Sequence, residues 1–373
     1  MTVVDQPFRF YDNRQKYLAF VTTCDEKWRV AQRAAEELAT IRPTPPALRI
    51  FDAGVGDGTV LAHLMRAMHA RFPTAPFYLV GKEISLEDVR LTLEKIPDRL
   101  VEHPDTVFVL TNLHYSEAPT LCPNTEEKRR KLVYRQVELS GTESYSFDEQ
   151  LRDIDDFLVK HWEVRPSEKT GNPLYVHPTV LVIHRKDHRF VLDSVIPKKG
   201  GCAADYDLII ASQPWRSRQS AEFKVDKILA PMARSLRSHG SLLGIQSKGN
   251  DPGMEIIHRI WPDEVAFPVD RYELLDKLRT TLGAEARNFD LLAFPDDESR
   301  LQFSMHTLPS EIANIGTSTL FAAWNAAIYV AQMEDRRVEE AMSSGDYLTA
   351  TADVLRERGG LWFNDETFVV RRL

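Results

Sequence analysis

The sequence predicts an α/β protein built on a mainly parallel sheet. Three observations carry that prediction. Apolar strand-like runs and helix-periodic runs alternate from Leu48 to Asn112, the order that crossover units produce. The first run, "LRIFDAG", enters a glycine-rich turn, Gly54-x-Gly56-x-Gly58, that leads directly into a helical pattern. The alternation resumes at "YDLIIASQPW" (Tyr206 to Trp215) after an interruption of about 90 residues, far longer than an ordinary connection.

Taken in order, Asn13 to Thr40 reads as helical, with Tyr17, Phe20, Val21, Trp28, Val30, Ala31 and Leu38 at roughly helical spacing. The prolines of "RPTPPA" end it. "TVLAHLMRAMHARF" is the first crossover helix and "FYLVGKE" the second strand. "SLEDVRLTLEKIPDRL" is the second helix, opened by a Ser85 cap with Asp88 three residues on, and "TVFVLTN" is the third strand. In the interruption, "FDEQLRDIDDFLVKHW" reads as a helix and "TVLVIHRKDHRFVLDSVIP" as a hairpin around "HRKDH". After Tyr206 the spacing predicts a helix over "VDKILAPMARSLRSHG" that stops at Gly240, a strand "SLLGIQS", and a helix from Asp270 to Leu282. An antiparallel hairpin follows in "FDLLAFPDDESRLQFSMHTL", then a long helical pattern from Ser318 to Met342 and a small strand pair in "GGLWFNDETFVVRRL". The expected organisation is a helical cap over 1–46, a main domain over 47–115 and 205–310, an inserted subdomain over 116–204, and a helical extension with a strand pair over 311–373.

Composition narrows the function. The 373 residues are 43% hydrophobic and 27% charged, with a formal net charge of -8, a poor balance for nucleic acid, whose phosphates need clustered Lys and Arg. The run "EEKRRK" begins with two acids and reads as a solvated helix face. Cys24, Cys122 and Cys202 are scattered and odd in number, which suits neither a disulfide framework nor a zinc site. His184 and His188 flank the expected hairpin turn rather than one helix face, and His306 falls in a strand, so no metal is expected. "MTVVDQPFRFYDNRQ" lacks the basic start and apolar core of a secretory signal, and "LFAAWNAAIYVA" is too short for a bilayer and contains Asn325. The expectation is a cytoplasmic chain without a membrane partner.

The glycine turn carries the chemistry. Glycine permits positive φ and close approach of a ligand to the backbone, and the helix start beyond it offers free N–H groups. The spacing is not the G-x-G-x-x-G of dinucleotide sites, and no Lys-Ser/Thr pair follows as in a phosphate loop. Asp52 at its entrance attracts a cation and repels a pyrophosphate. S-adenosylmethionine carries an ammonium and a sulfonium and no phosphate, so Asp52 suits its amino acid end. Glu83, ending the second strand, can accept ribose hydroxyls, and Asn112, ending the third, can meet the adenine edge.

The segments "FDAGVGDGTVL", "VGKEIS", "FVLTNL" and "YDLIIASQPW" together resemble the successive cofactor motifs of class I S-adenosylmethionine-dependent methyltransferases, over Leu48 to Tyr115 and Tyr206 to Leu308. The resemblance implies a Rossmann-like sheet of seven strands in the order 3-2-1-4-5-7-6 with strand 7 antiparallel, the hairpin at Phe289 to Leu308 supplying strands 6 and 7. It implies S-adenosyl-L-methionine as cofactor, S-adenosyl-L-homocysteine as product, and cofactor contacts from Asp52, Gly54, Gly56, Gly58, Glu83, Asn112 and Ser212. The long insertion between strands 3 and 4 departs from it.

The acceptor belongs beyond the carboxyl ends of the strands. His114 is the candidate base, since it titrates near neutrality, with Tyr115 as a hydroxyl donor or a wall. "SQPW" partly matches the Asn/Asp-Pro-Pro-aromatic run of amide-nitrogen methyltransferases: the aromatic and one proline agree, the first residue and first proline do not. Trp215 either stacks a planar or cationic acceptor or packs the wall. Gln213 and Gln246 are candidates to orient the acceptor. Tyr11, Arg14 and Tyr17 are candidates to line a lid. The expected reaction is methyl transfer to a small molecule by in-line displacement. A protein or peptide acceptor docked on 116–204, and a cofactor-binding scaffold without turnover, remain as alternatives. Aminopropyl transfer usually needs paired acids, which "SQPW" does not offer. The insertion and the C-terminal segment are further places for a lid or a homodimer contact.

Overall fold

The computed structural model describes residues 14–168 and 173–373. Tyr11 lies outside the described residues. Among the described residues twelve strands form: β1 (Leu48–Asp52), β2 (Phe77–Lys82), β3 (Thr106–Thr111), β4 (Val133–Leu139), β5 (Val164–Pro166), β6 (Pro173–Tyr175), β7 (Thr179–Arg185), β8 (Tyr206–Ser212), β9 (Leu236–Ser247), β10 (Phe289–Leu292), β11 (Arg300–Ser304) and β12 (Trp362–Arg372). Ten of them make one sheet in the order β10-β12-β9-β8-β1-β2-β3-β7-β4, with β11 also on β12, and β5 pairs β6 apart from it. The five central strands β3, β2, β1, β8 and β9 are parallel. Runs such as "FYLVGK" and "TVFVLT" are buried at every residue, as a sheet covered on both faces requires.

The Rossmann-like order implied by the resemblance is present, with ten strands in place of seven and different occupants at one edge. The expected hairpin at Phe289 to Leu308 does not close on itself. Its "PDDES" segment forms a helical turn at Asp296–Ser299, and both flanking strands pair antiparallel with β12 instead. The C-terminal segment is not a strand pair. It is one 11-residue strand, antiparallel to β9 on its other side, long enough to serve β10 and β11 end to end. The main domain therefore includes the C-terminal strand.

The insertion also joins the sheet. β7 pairs antiparallel with β3, and β4 parallel with β7. The expected hairpin over 179–197 is corrected: after β7, Arg185 pairs with Asp187 and the chain turns into a short helix, Arg189–Leu192. Gly240 is not a helix stop either. The helix ends at Arg234, and Gly240 lies inside β9, where a Cβ would stand 2.5 Å from the Tyr206 carbonyl.

Helices α1 (Arg14–Thr23), α2 (Glu26–Glu37), α3 (Thr59–Arg71) and α4 (Leu86–Glu102) surround the first three strands. One core lies on each sheet face. A third joins the chain ends: Tyr17, Phe20 and Cys24 of the N-terminal segment pack with Trp324, Ala327, Ile328 and Tyr329 of helix Thr317–Val330, and Asn325 donates its side-chain amide to the Lys16 carbonyl at 3.0 Å. Among the described residues no helix is long and apolar enough to cross a membrane.

Glu366 fastens β12 into place. It accepts from the Arg271 backbone N–H and the Gln246 amide, both at 2.8 Å, and pairs with the buried Arg271 guanidinium at 2.8 Å and with Lys248 at 3.1 Å. Removing one partner of a buried pair strands the other charge, at a cost of about 3–5 kcal/mol. Glu366→Ala is expected to lower the unfolding free energy by about that much in urea titration. A loss within experimental error shows that the β12 clamp does not hold the sheet edge.

Candidate functional site

The glycine turn is held from three sides. From β1, Asp52 accepts the Gly54 N–H at 3.0 Å. From β2, the Glu83 carboxylate accepts Gly56 N–H at 2.9 Å with one oxygen, and Ile84 and Ser85 N–H at 2.7 and 2.9 Å with the other. From α4, Thr92 donates to the Gly56 carbonyl at 3.0 Å and Lys95 to the Asp57 carbonyl at 2.7 Å. Gly56 and Gly58 have φ of 54° and 79°, a region costly for side chains. A Cβ on Gly58 would stand 2.9 Å from the Thr92 Cα, so the glycine lets α3 start against α4. Gly54 is different: a Cβ there would meet nothing within 4 Å, because it faces a cavity.

That cavity has a volume of about 610 Å³, in the range of small-molecule sites. On the glycine-loop side its wall includes Gly54, Gly56, Glu83, Ile84, Ser85 and Asp88. His114, Tyr115, Ser212, Gln213, Pro214 and Trp215 continue it at the ends of β3 and β8. Gln219, Phe223, Lys227 and Ile228 follow, the last two on a single π turn, Val225–Leu229, of helix 221–234. Tyr17 and Phe20 of α1, with Tyr329, Val330 and Gln332, cover it. The Tyr17 hydroxyl accepts the Asp57 N–H at 3.2 Å, which ties that cover to the glycine turn.

Of the predicted residues, Gly54, Gly56, Glu83, Ser212, His114, Tyr115, Tyr17, Gln213 and Trp215 meet around this one cavity. Asp52 and Gly58 stand just behind it and shape the turn. Asn112 does not reach it. It is 1% exposed, donates to the His161 and His177 carbonyls at 3.2 and 2.9 Å, and accepts the Thr179 N–H at 2.8 Å, fastening the insertion to β3. Gln246 is likewise taken up, by Val269, Glu366 and Lys224. Arg14 begins α1.

The reading of the sequence missed Lys82, Asp88, Glu26, Lys27, Phe223 and Tyr329 as lining residues. Asp88 carried a signal, but as a helix-cap partner. Lys82 stood beside Glu83 at the same strand end. Tyr329 had none, since only the tertiary packing of two distant helices brings it here.

The local chemistry is uneven. Burial, reinforced by Glu83, raises Asp88 to about 7. Burial also raises Asp52 to about 6, against the pull of the Gly54 N–H and of Lys27. Glu26 is 4% exposed and 3.1 Å from the Lys27 ammonium. Burial lowers the His114 pKa despite Glu117, so its ring is held toward the neutral form that can accept a proton. Tyr115 is no base: burial raises its pKa, and its hydroxyl donates to the Pro214 carbonyl at 2.7 Å. Gln213 has φ of 48°, a strained conformation for its residue type. Its N–H bonds Ile245 at 2.9 Å, and its side chain accepts from Ser247 at 3.2 Å and reaches Asp365 at 3.4 Å. That bend presents Pro214 and Trp215 to the cavity.

No family model matches the sequence, and no significant match exists among curated proteins. Solved structures with similar traces include a Galdieria sulphuraria protein described as a sarcosine dimethylglycine methyltransferase. It is 10% identical over 93% of this chain and 84% of that one, with a TM-score of 0.36. A geranyl diphosphate methyltransferase in complex with S-adenosylmethionine is 12% identical over 92% and 85%, with a TM-score of 0.32. Haemonchus contortus phosphoethanolamine N-methyltransferase 2 is 9% identical over 100% and 61%, also at 0.32. Similarity at this level carries no functional argument.

The turn geometry yields a direct expectation. Gly58→Ala meets both the positive φ and the Thr92 backbone, so a stability loss of at least about 1–2 kcal/mol is expected in urea titration. A loss below about 0.5 kcal/mol means that the turn relaxes without its glycine.

Proposed function

We propose that the chain is an S-adenosylmethionine-dependent methyltransferase acting on a small-molecule acceptor. The observation that carries this reading is the pairing of an open glycine face at Gly54 with ionisable carboxylates, Glu83 and Asp88, in one cavity. A turn bordered by acids suits a cationic nucleoside better than a pyrophosphate. Gly54 and Gly56 let the ligand approach the backbone, and Glu83 keeps acceptor capacity for its hydroxyls: a carboxylate has about four acceptor sites, and three N–H groups occupy three. Asp52 acts from behind by bracing the turn.

Held by Gly54, Gly56 and Glu83, the cofactor would supply a sulfonium-bound methyl, transferable to an acceptor lone pair with the carbon–sulfur electrons left on sulfur. The protein's part is alignment and exclusion of water. Trp215, Phe223 and Tyr115 offer flat apolar walls. Neutral His114 takes the acceptor's proton where one must leave. Tyr17 and Tyr329 cover the cavity, and that cover favours a small acceptor over a protein side chain.

The test is incubation of the purified protein with methyl-tritiated S-adenosylmethionine and a cell extract divided into small-molecule and macromolecular fractions. Label is expected in the small-molecule fraction, and Glu83→Gln is expected to lower it about tenfold or more, as loss of charge-assisted hydrogen bonds implies. Label confined to macromolecules contradicts the acceptor class, and no transfer to either contradicts the activity.

A second expectation concerns pH. Asp88 is an acid raised to about 7, so it gains its proton as pH falls through 7 and loses its attraction for a cation. Affinity for S-adenosylmethionine, measured by calorimetry, is expected to fall between pH 8 and pH 6, and Asp88→Asn is expected to flatten that fall. A profile identical in the two proteins means that Asp88 does not face the ligand.

A further inference from the structure

We propose, building on the methyltransferase reading, that the acceptor carries an acidic oxyanion, a carboxylate or a phosphate, and that Lys82 binds it. Lys82 closes β2, is 7% exposed and lines the cavity. Among the described residues no hydrogen bond or ion pair reaches its ammonium; its one close partner is the Tyr115 ring, 4.6 Å away. Glu83, the nearest acid in sequence, directs its carboxylate to Gly56, Ile84 and Ser85 instead. A buried charge with no direct hydrogen-bond or ion-pair partner is costly, and a bound anion offsets that cost.

The position is on the acceptor side. Tyr115, on whose ring Lys82 rests, donates to the Pro214 carbonyl, so Lys82 stands beside the segment that presents Trp215. Lys227 lines the same wall after β8. The carboxylates Glu83 and Asp88 border the glycine turn, and Lys27, which also lines the cavity, is paired with Glu26. The cavity thus offers carboxylates at the glycine turn, suited to the sulfonium cofactor, and close beside them a lysine against an aromatic ring, suited to a flat anion. Burial also lowers the Lys82 pKa, with Glu83 pulling the other way. An ion pair with substrate would raise it again.

The experiment is calorimetric titration of the protein saturated with S-adenosylhomocysteine, using benzoate and its neutral isostere benzamide as probes. Benzoate is expected to bind about tenfold or more tightly than benzamide. In Lys82→Met that preference is expected to shrink to about twofold or less, and in Lys82→Arg to survive in part. Lys82→Gln serves if the Met variant does not fold. Equal binding of the two probes to the wild type, or a preference that survives in the Met or Gln variant, overturns the inference. The prior titration with S-adenosylhomocysteine reads the methyltransferase proposal separately. If that ligand does not bind, the proposal fails by itself, and the benzoate comparison on the unliganded protein still decides the role of Lys82.

Discussion

The Glu83 carboxylate, accepting three backbone N–H groups, is the constraint on which the site depends. One oxygen fixes Gly56 and the other fixes Ile84 and Ser85, the residues that lead into α4. Because α4 then supplies Thr92 and Lys95 to the same turn, β1, β2 and α4 meet at one rigid point. Charge-assisted hydrogen bonds of this kind are about twice as strong as neutral ones. The glycines thus have two functions. Gly56 and Gly58 satisfy backbone geometry, while Gly54 leaves the opening. Tyr17 reaches the loop only because Asp57 is held where its N–H can be accepted.

The ends of the chain complete what the centre begins. The N-terminal helix and helix Thr317–Val330 form one apolar cover, with Phe20 and Tyr329 ring centroids 5.0 Å apart. The last strand runs between β9 and β10, and its Asp365 and Glu366 reach inward to Gln213 and Arg271. Burial, with Glu26 nearby, raises the Asp365 pKa well above the usual carboxylate range. The sheet edge and the acceptor wall are therefore parts of one packed unit.

The central sheet was legible because its signals are local. Buried parallel strands read as apolar runs, helices as a 3.6-residue period, and the glycine spacing marks a turn that any close-approaching ligand needs. The failures were long-range. "PDDES" looks like a hairpin turn, yet β12 lies some sixty residues on and captures both flanking strands, a pairing no local pattern encodes. Asn112 sat at the right strand end for an adenine contact, but the insertion offers it two carbonyls and an N–H, and buried amides take partners where they find them. Lys82 was overlooked beside Glu83 because adjacent strand residues point to opposite faces, and only the fold shows that both faces border the cavity at this strand end.

On the proposed reading, the glycine turn and its acids hold a sulfonium nucleoside. Its most direct test is calorimetric titration of the purified wild-type chain with S-adenosylmethionine, S-adenosylhomocysteine and NADH. Saturable one-to-one binding of both adenosyl ligands and no heat from NADH are expected. Binding of NADH alone, or of none of the three, would contradict it.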